Sequence, residues 1–111
     1  MLLDKSGKLV TDLDFRGTKI EFLDKLTAKE LFLIVATIQQ LVNKKEFFTA
    51  NELAPENWEK TIYQPMYSAC GNDKSSAGRL FGVIVKQALI MSPLLFSQDG
   101  DSSRESVYKR V

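Results

Sequence analysis

Between Ser75 and Ile90 the apolar residues recur with the period of an α-helix. Spacings of three and four residues place one set on a single face, consisting of Ala77, Leu80, Phe81, Ile84, Val85, Ala88 and Leu89. The other face carries two cations and no carboxylate, with Ser75, Ser76, Arg79, Val83, Lys86 and Gln87. The pattern predicts a helix whose apolar side faces the core. Its polar side is typical of a helix against an anionic partner, and also of an ordinary surface helix.

Gly78 and Gly82 lie four residues apart on this predicted helix. Glycine in a helix costs about 1 kcal/mol relative to alanine, so its presence calls for a packing reason. We expect the two glycines to allow close approach of another backbone, and favour a helix of the same chain over a partner.

A second helix is predicted to begin after Thr27. Thr27 and Glu30 have the spacing of a capping box, and Leu26 and Leu31 that of a hydrophobic staple. An apolar stripe then runs to about Lys44 or Lys45, whose charges suit a helix C-terminus. It consists of Leu31, Ile34, Val35, Ile38, Leu41 and Val42. We interpret this helix as core scaffold.

The sequence between these two predicted helices contains some residues that favour a helix and others that interrupt one. Thr49 and Glu52 predict another capping box, but Pro55 disfavours helical geometry at Ala54, so that helix must be short. A restart at residues 55–57 is expected to place Trp58, Ile62, Met66 and Ala69 on one face, with an interruption near Pro65. Trp58, Tyr63 and Tyr67 form an aromatic cluster that we assign to packing rather than to a binding surface.

Turn and strand patterns lie at both ends of the chain. Alternation predicts strands near 8–14 and 19–23, with turns at 4–7 and 16–18. This N-terminal part either covers an edge of the core or forms a dimerisation arm. At the other end, Ser92 and Pro93 stop the main helix, a strand begins at residue 94, residues 99–101 supply a turn, and a strand returns over 105–109.

In this order the elements resemble the winged-helix class of helix-turn-helix domains. The resemblance covers about residues 27–111: a first helix, a short second helix at FTANEL, a third helix at SSAGRLFGVIVKQAL, and the wing LLFSQDGDSSRESVYKR. It implies an α+β fold with N-terminal strands, three to four helices and a C-terminal β-hairpin. The segments are an N-terminal β segment over 1–24, a helical core over 27–90 and a wing over 93–110. Residues 54–74 depart from the class, whose second and third helices are joined by a tight turn.

The resemblance also implies a function. It makes 75–86 the recognition helix in the major groove of double-stranded DNA, with the hairpin touching phosphate or the minor groove. Ser75, Ser76 and Arg79 are then expected near base edges or phosphates. Phosphate contacts are expected from Lys74, Lys86, Arg104, Lys109 and Arg110. The protein is then a sequence-specific or general DNA-binding protein, for example a transcriptional or mobile-element regulator.

Charge leaves a second function open. Residues 74–98 contain three cations and no acid, yet the whole chain carries only +1, less than a typical DNA-binding domain. Asp99 and Asp101 at the expected wing tip are also the wrong sign for phosphate. The alternative is a winged-helix module for protein interaction, assembly or self-association. Its contact surface is expected at Val83, the aromatic cluster and the N-terminal strands.

Composition narrows the chemistry. The 111 residues suit one domain of 44% apolar and 26% charged residues. Without histidine, Ser-His, Cys-His and His-metal arrangements are excluded, and the lone Cys70 is expected to be buried. Neither phosphate-binding glycine motif is present, and Arg104 replaces the glycine that a calcium loop at 99–103 needs. We expect that the protein is not an enzyme and that it binds no cofactor, metal or membrane. We expect a cytoplasmic location because no secretory signal is visible.

Overall fold

The protein is an α+β domain in which helices pack against a mixed β-sheet. The computed structural model describes residues 1–11, 20–102 and 105–111. Its strands are β1 (Leu2–Leu3), β2 (Leu9–Val10), β3 (Phe47–Phe48), β4 (Phe96–Ser102) and β5 (Glu105–Arg110). Its helices are α1 (Ile20–Leu23), α2 (Ala28–Val42), α3 (Ala50–Leu53), α4 (Gln64–Ala69) and α5 (Lys74–Met91). The predicted α+β fold with strands at both ends is confirmed.

Five strands form one sheet in the order β2-β1-β4-β5-β3. β1 runs parallel to β4, whereas β1 and β2, β4 and β5, and β3 and β5 are antiparallel pairs. The short β3 and β1 pair with the parts of β5 and β4 nearest the helices. Beyond Gln98 and Tyr108, β4 and β5 pair only with each other in the described part of the chain. The end of this hairpin therefore extends past its neighbours.

The N-terminal strands belong to this sheet. A turn at Asp4–Gly7 joins β1 to β2, with Gly7 at φ 85°, a conformation that favours glycine. The Asp4 carboxylate accepts hydrogen bonds from the hydroxyl of Ser6 (2.6 Å) and the amide of Lys8 (2.9 Å), and these bonds lower its pKa. Leu2 is fully buried between β2 and β4. β1 and β2 thus cover β4, a strand of the same sheet. This agrees with the first alternative above, in which the N-terminal part covers an edge of the core.

Two N-terminal predictions need correction. Residues 20–23 of the strand predicted at 19–23 are not a strand: Ile20–Leu23 form α1, followed by turn bonds from the amides of Lys25 and Leu26 back to Phe22 and Leu23. Alternation over four residues does not distinguish a strand from one helical turn, and α1 lies against α4. Only Leu9–Val10 of the strand predicted at 8–14 is a described strand. Residues 12–19, including the turn predicted at 16–18, lie outside the described residues.

The capping box predicted for α2 is confirmed, whereas only half of the box predicted for α3 is present. The Thr27 hydroxyl accepts from the Glu30 amide (3.1 Å) while the Glu30 carboxylate accepts from the Thr27 amide (2.9 Å). The Thr49 hydroxyl likewise accepts from the Glu52 amide, and α3 ends at Ala54, which is extended before Pro55. α2 ends at Val42, earlier than predicted. Of its predicted stripe Ile34, Val35, Ile38 and Val42 are buried, whereas Leu41 is exposed.

The restart predicted at residues 55–57 is wrong. Residues 54–63 are not helical, and α4 begins only at Gln64, with Pro65 in its first turn rather than at an interruption. Ile62, assigned to an inner face, is exposed. Trp58, Tyr63 and Tyr67 are buried, so the packing role of the aromatic cluster is confirmed. The buried Cys70 then leads into a turn in which Gly71 has φ 68° and Asn72 φ 59°.

The core lies between α5, α2 and the sheet. All seven apolar positions predicted for the inner face of α5 are buried, and α5 packs along α2. A second aromatic group, Phe48, Phe96 and Tyr108, joins β3, β4 and β5, with Phe48 5.9 Å from Phe96 and 5.7 Å from Tyr108 between ring centroids. The burial of its apolar face against α2 leaves the opposite side of α5 facing outward.

The C-terminal hairpin turns later than predicted. Residues 99–101 lie inside β4, and a bulge between Gln98 and Gly100 absorbs one residue. The chain reverses between Ser102 and Glu105, because those two residues are paired. The Asp-Gly-Asp sequence therefore marks a bulge rather than the turn.

Candidate nucleic-acid interface

Three of the predicted site residues share one outward stripe of α5. Ser75, Arg79 and Lys86 are spaced four and seven residues apart, so they fall within a narrow arc of the helix surface. Ser75 and Arg79 are exposed and Lys86 is half-buried. Arg79 and Lys86 are separated by about 10 Å along the axis at two turns. We call these three residues the α5 stripe.

The glycines of α5 border this stripe instead of packing inward. A methyl group built at Gly78 or Gly82 meets no atom within 4 Å, so neither glycine provides a close approach to α2. The favoured alternative, close packing against a helix of the same chain, is therefore wrong, whereas close approach of a partner stays a prediction. Periodicity alone contained the correct signal, because Gly78 and Gly82 follow Ser75 by three and seven residues and so lie on its side of the helix.

Ser76 does not belong to the outward face. Only 8% of its surface is exposed, and its hydroxyl donates a hydrogen bond of 2.9 Å to Oδ2 of Asp73. Asp73 is also the N-cap of α5, because its Oδ1 accepts from the Ser75 amide at 3.1 Å. A carboxylate of the protein thus occupies the helix N-terminus, where we expected a phosphate. The outward position predicted for Ser76 is therefore wrong, and its burial does not favour the base or phosphate contact assigned to it.

Lys74 lies apart from the α5 stripe. As the first residue of α5 it borders a cavity together with Glu56 and Glu59 of the 54–63 segment. Two carboxylates beside it weaken its attraction for phosphate. The structure therefore does not group Lys74 with Arg79 and Lys86.

The C-terminal cations are tied to β3 and to the end of α2. The Lys109 ammonium lies 5.4 Å from the centre of the Phe47 ring, a cation–π distance. The Arg110 guanidinium donates to the carbonyl oxygen of Asn43 at 2.6 Å. Both residues lie at the base of the hairpin rather than near its end. Arg104 lies outside the described residues.

The charge of α5 is one-sided. Its 18 residues include Lys74, Arg79 and Lys86 and no aspartate or glutamate. The stripe is therefore basic although the whole chain carries only +1. Val83, assigned to the alternative protein contact, is half-buried beside it.

An apolar surface on α2 was missed by the sequence interpretation. Phe32 is 69% exposed and Leu33 46% exposed. Both fall outside the buried stripe of α2, and that spacing was the available signal. An exposed pair of large apolar residues on a regular helix is a feature of interaction surfaces.

Two features are absent from the residues that the structure describes. Among them no group of three or more His, Cys, Asp or Glu side chains is arranged to hold a metal ion. No helix within the described ranges is long and apolar enough to cross a membrane.

Comparison with known proteins gives no relative on which to base a function. The chain matches no family model, no curated protein and no solved structure. The function is therefore argued from the geometry of the site.

Proposed function

We propose that this protein is a winged-helix-like DNA-binding domain in which α5 is the recognition helix. The α5 stripe carries the proposal, because it combines the exposed Ser75 and Arg79 with the half-buried Lys86 on an 18-residue helix that contains no acidic residue. The order α2, α3, α5, then a hairpin that extends past its neighbours supports the arrangement. Residues 54–73 with α4 remain the departure from that class.

The residues of the stripe suit different parts of a duplex. Arg79 offers paired donors to the O6 and N7 atoms of guanine, whereas Lys86, two turns further along, suits a phosphate. Ser75 adds a hydroxyl that serves either a base edge or a phosphate. Gly78 and Gly82 have no side chain, so the backbone of α5 can approach the DNA groove closely at these positions. The stripe thus combines one base-reading residue with backbone contacts.

The small number of free cations determines how strong and how salt-dependent we expect DNA binding to be. Each neutralised phosphate contributes about −0.9 to the slope of log affinity against log salt. With Arg79 and Lys86 as the main contacts, and Lys74, Lys109 and Arg110 in weaker positions, we expect a slope of about −2 to −3. Binding is therefore weaker and less salt-dependent than for strongly basic domains.

A salt titration tests the proposal. Fluorescence anisotropy with a labelled random duplex at several salt concentrations should give binding that weakens with the slope stated above. The solution mass of the protein, measured in the same buffers, separates DNA binding from self-association. Absence of binding at low salt would overturn the proposal.

A second candidate is a protein-interaction or assembly module that does not bind nucleic acid. The exposed Phe32 and Leu33 on α2 favour it. Of the surfaces first expected for this function, the aromatic cluster is buried and β1 is paired on both sides. β2 remains an edge strand, and Val83 is half-buried.

The second candidate has its own test. If α2 is the contact, Phe32→Ser should remove any self-association seen by analytical ultracentrifugation. Ile62→Ser changes another exposed large apolar residue, in the 54–63 segment, and serves as the control. Equal behaviour of the two variants would count against α2.

A further inference from the structure

A cavity of about 450 Å³ lies between the 54–63 segment, α4 and the start of α5. This volume is in the range of small-molecule sites in proteins. Its walls are formed by Glu56, Asn57, Trp58, Glu59, Tyr67 and Lys74. Arg79 and Lys86 do not border it, whereas Lys74, one of the weaker proposed DNA contacts, does. The α5 stripe is therefore separate from the cavity.

The cavity has aromatic walls held in place by the core. Trp58 and Tyr67 are both buried. The Trp58 ring lies 5.5 Å from Phe81 and 6.1 Å from Tyr63, measured between ring centroids. Because Phe81 belongs to the inner face of α5, the position of Trp58 is coupled to the main helix. Less than a tenth of each of the Trp58 and Tyr67 side chains is exposed, so a ligand in the cavity meets only a small, firmly held part of each ring.

The segment carrying the acidic residues is fixed by its own hydrogen bonds. Oδ1 of Asn57 accepts from the Glu59 amide at 3.0 Å, and Oε1 of Gln64 accepts from the Lys60 amide at 2.9 Å. The Thr61 hydroxyl donates to the carbonyl oxygen of Trp58 at 2.9 Å. The backbone at Glu59 is therefore organised before any ligand arrives.

Charges of opposite sign border the cavity without pairing. Glu56 and Glu59 come from the segment and Lys74 from α5, and all three are exposed. Among the residues that the structure describes, none of their side chains forms an ion pair. Two acids and one cation thus share a cavity and remain apart. A ligand that carries both charges would satisfy both sides at once.

We propose that this cavity binds a small zwitterion with an apolar body, of the class of an α-amino acid with an apolar side chain. The ligand ammonium is held by Glu56 and Glu59, and its carboxylate by Lys74. Its side chain lies against Trp58 and Tyr67. The arrangement requires both charges on one molecule, which distinguishes it from a site for a simple amine.

Trp58 is the one tryptophan of the chain, so its emission reports directly on the cavity. Three probes share a phenyl ring and differ in charge: L-phenylalanine, phenethylamine and 3-phenylpropionate. L-phenylalanine should change the emission in a saturable way. Loss of one charged contact is expected to weaken binding about tenfold, so phenethylamine and 3-phenylpropionate should both bind less tightly. The amide shifts of Trp58 and Lys74 give a second readout.

Two variants assign the charges. Lys74→Gln should weaken L-phenylalanine about tenfold and leave phenethylamine unchanged, whereas Glu59→Gln should weaken both. Lys29→Gln removes an exposed cation of α2 and should change neither. Absence of saturable change in both readouts would overturn the proposal. So would equal affinity for phenethylamine and L-phenylalanine.

Discussion

The hydroxyl of Ser76 donates a hydrogen bond of 2.9 Å to Oδ2 of Asp73, three residues earlier in the chain. The other carboxylate oxygen accepts from the Ser75 amide. One side chain thus caps α5 and turns Ser76 toward the protein. The candidate interface therefore begins at Ser75 and continues through Arg79, and the amide of Ser75 already has an acceptor within the protein.

Removal of this cap should destabilise α5. We expect Asp73→Ala to lower the free energy of unfolding by about 1 kcal/mol, because the Ser75 amide and the Ser76 hydroxyl lose their acceptor. Urea unfolding followed by circular dichroism measures the change. Asp73→Asn keeps a capping oxygen and should retain most of the stability. If both variants unfold at the same urea concentration as the unchanged chain, the cap does not contribute.

Reversal of the charge at Arg79 should abolish DNA binding and leave the fold intact. Arg79 is exposed, so Arg79→Glu places no charge in the core. A bidentate contact to guanine contributes about 1–3 kcal/mol, and repulsion from phosphate adds to its loss. Anisotropy with duplex DNA should therefore show at least a tenfold weaker affinity, with an unchanged melting temperature.

Lys29→Glu provides the matched control for that experiment. Lys29 is an exposed cation on α2, and its reversal changes the net charge of the chain by the same amount. We expect it to alter binding far less than Arg79→Glu. Equal losses in the two variants would show that only the total charge matters, and α5 would no longer be the recognition helix.

Two glycines should respond in opposite directions to alanine. Gly78 is exposed in α5 and an added methyl meets no atom, so Gly78→Ala should raise stability by about 0.5–1 kcal/mol. Gly71 has φ 68°, so Gly71→Ala should lower it by about 1–2 kcal/mol. Thermal or urea unfolding of both variants measures the difference. A destabilising Gly78→Ala would mean that this face of α5 is covered.

The helices with strong local signals were predicted well. α2 and α5 each combine an apolar period with a capping residue, so their sequences contain most of what determines them. α1 was predicted as a strand because Ile20 and Phe22 alternate with polar residues. Its packing against α4 decided the outcome, and that contact is not visible in the local pattern.

The site was predicted only in part for a similar reason. The outward position of Arg79 and Lys86 follows from the helical period. The positions of Lys109 and Arg110 depend on β3 and the end of α2: the bond from Arg110 to Asn43 joins residues 67 apart in the sequence. Ser76 lies at the edge of the buried face, where its bond to Asp73, rather than the period, decides its exposure.

Phe81 should be among the most sensitive residues of the core. It is almost fully buried, and its ring centroid lies 5.5 Å from that of Trp58 and 5.4 Å from that of Tyr63. Phe81→Ala should cost about 3–5 kcal/mol, and Phe81→Asp or Leu80→Asp should unfold the domain. Circular dichroism and Trp58 emission measure both effects. Arg79→Ala, on the exposed side of the same helix, serves as the control and should change stability by less than about 0.5 kcal/mol. A folded Phe81→Asp would mean that the inner face of α5 is wrongly assigned.

Tyr63 should make the fold sensitive to alkaline pH. Burial raises the pKa of its phenol above the usual value of 10.0. Because the folded pKa is the higher one, the stabilising contribution is complete below about pH 10 and is lost as pH rises through the folded value. Tyr63→Phe keeps the ring beside Trp58 and removes the ionisation. Its stability should therefore fall less steeply than that of the unchanged chain in urea unfolding between about pH 9 and 11, with Tyr67 and Tyr108 present in both. Parallel curves would show that Tyr63 ionises as easily in the folded state as in the unfolded one.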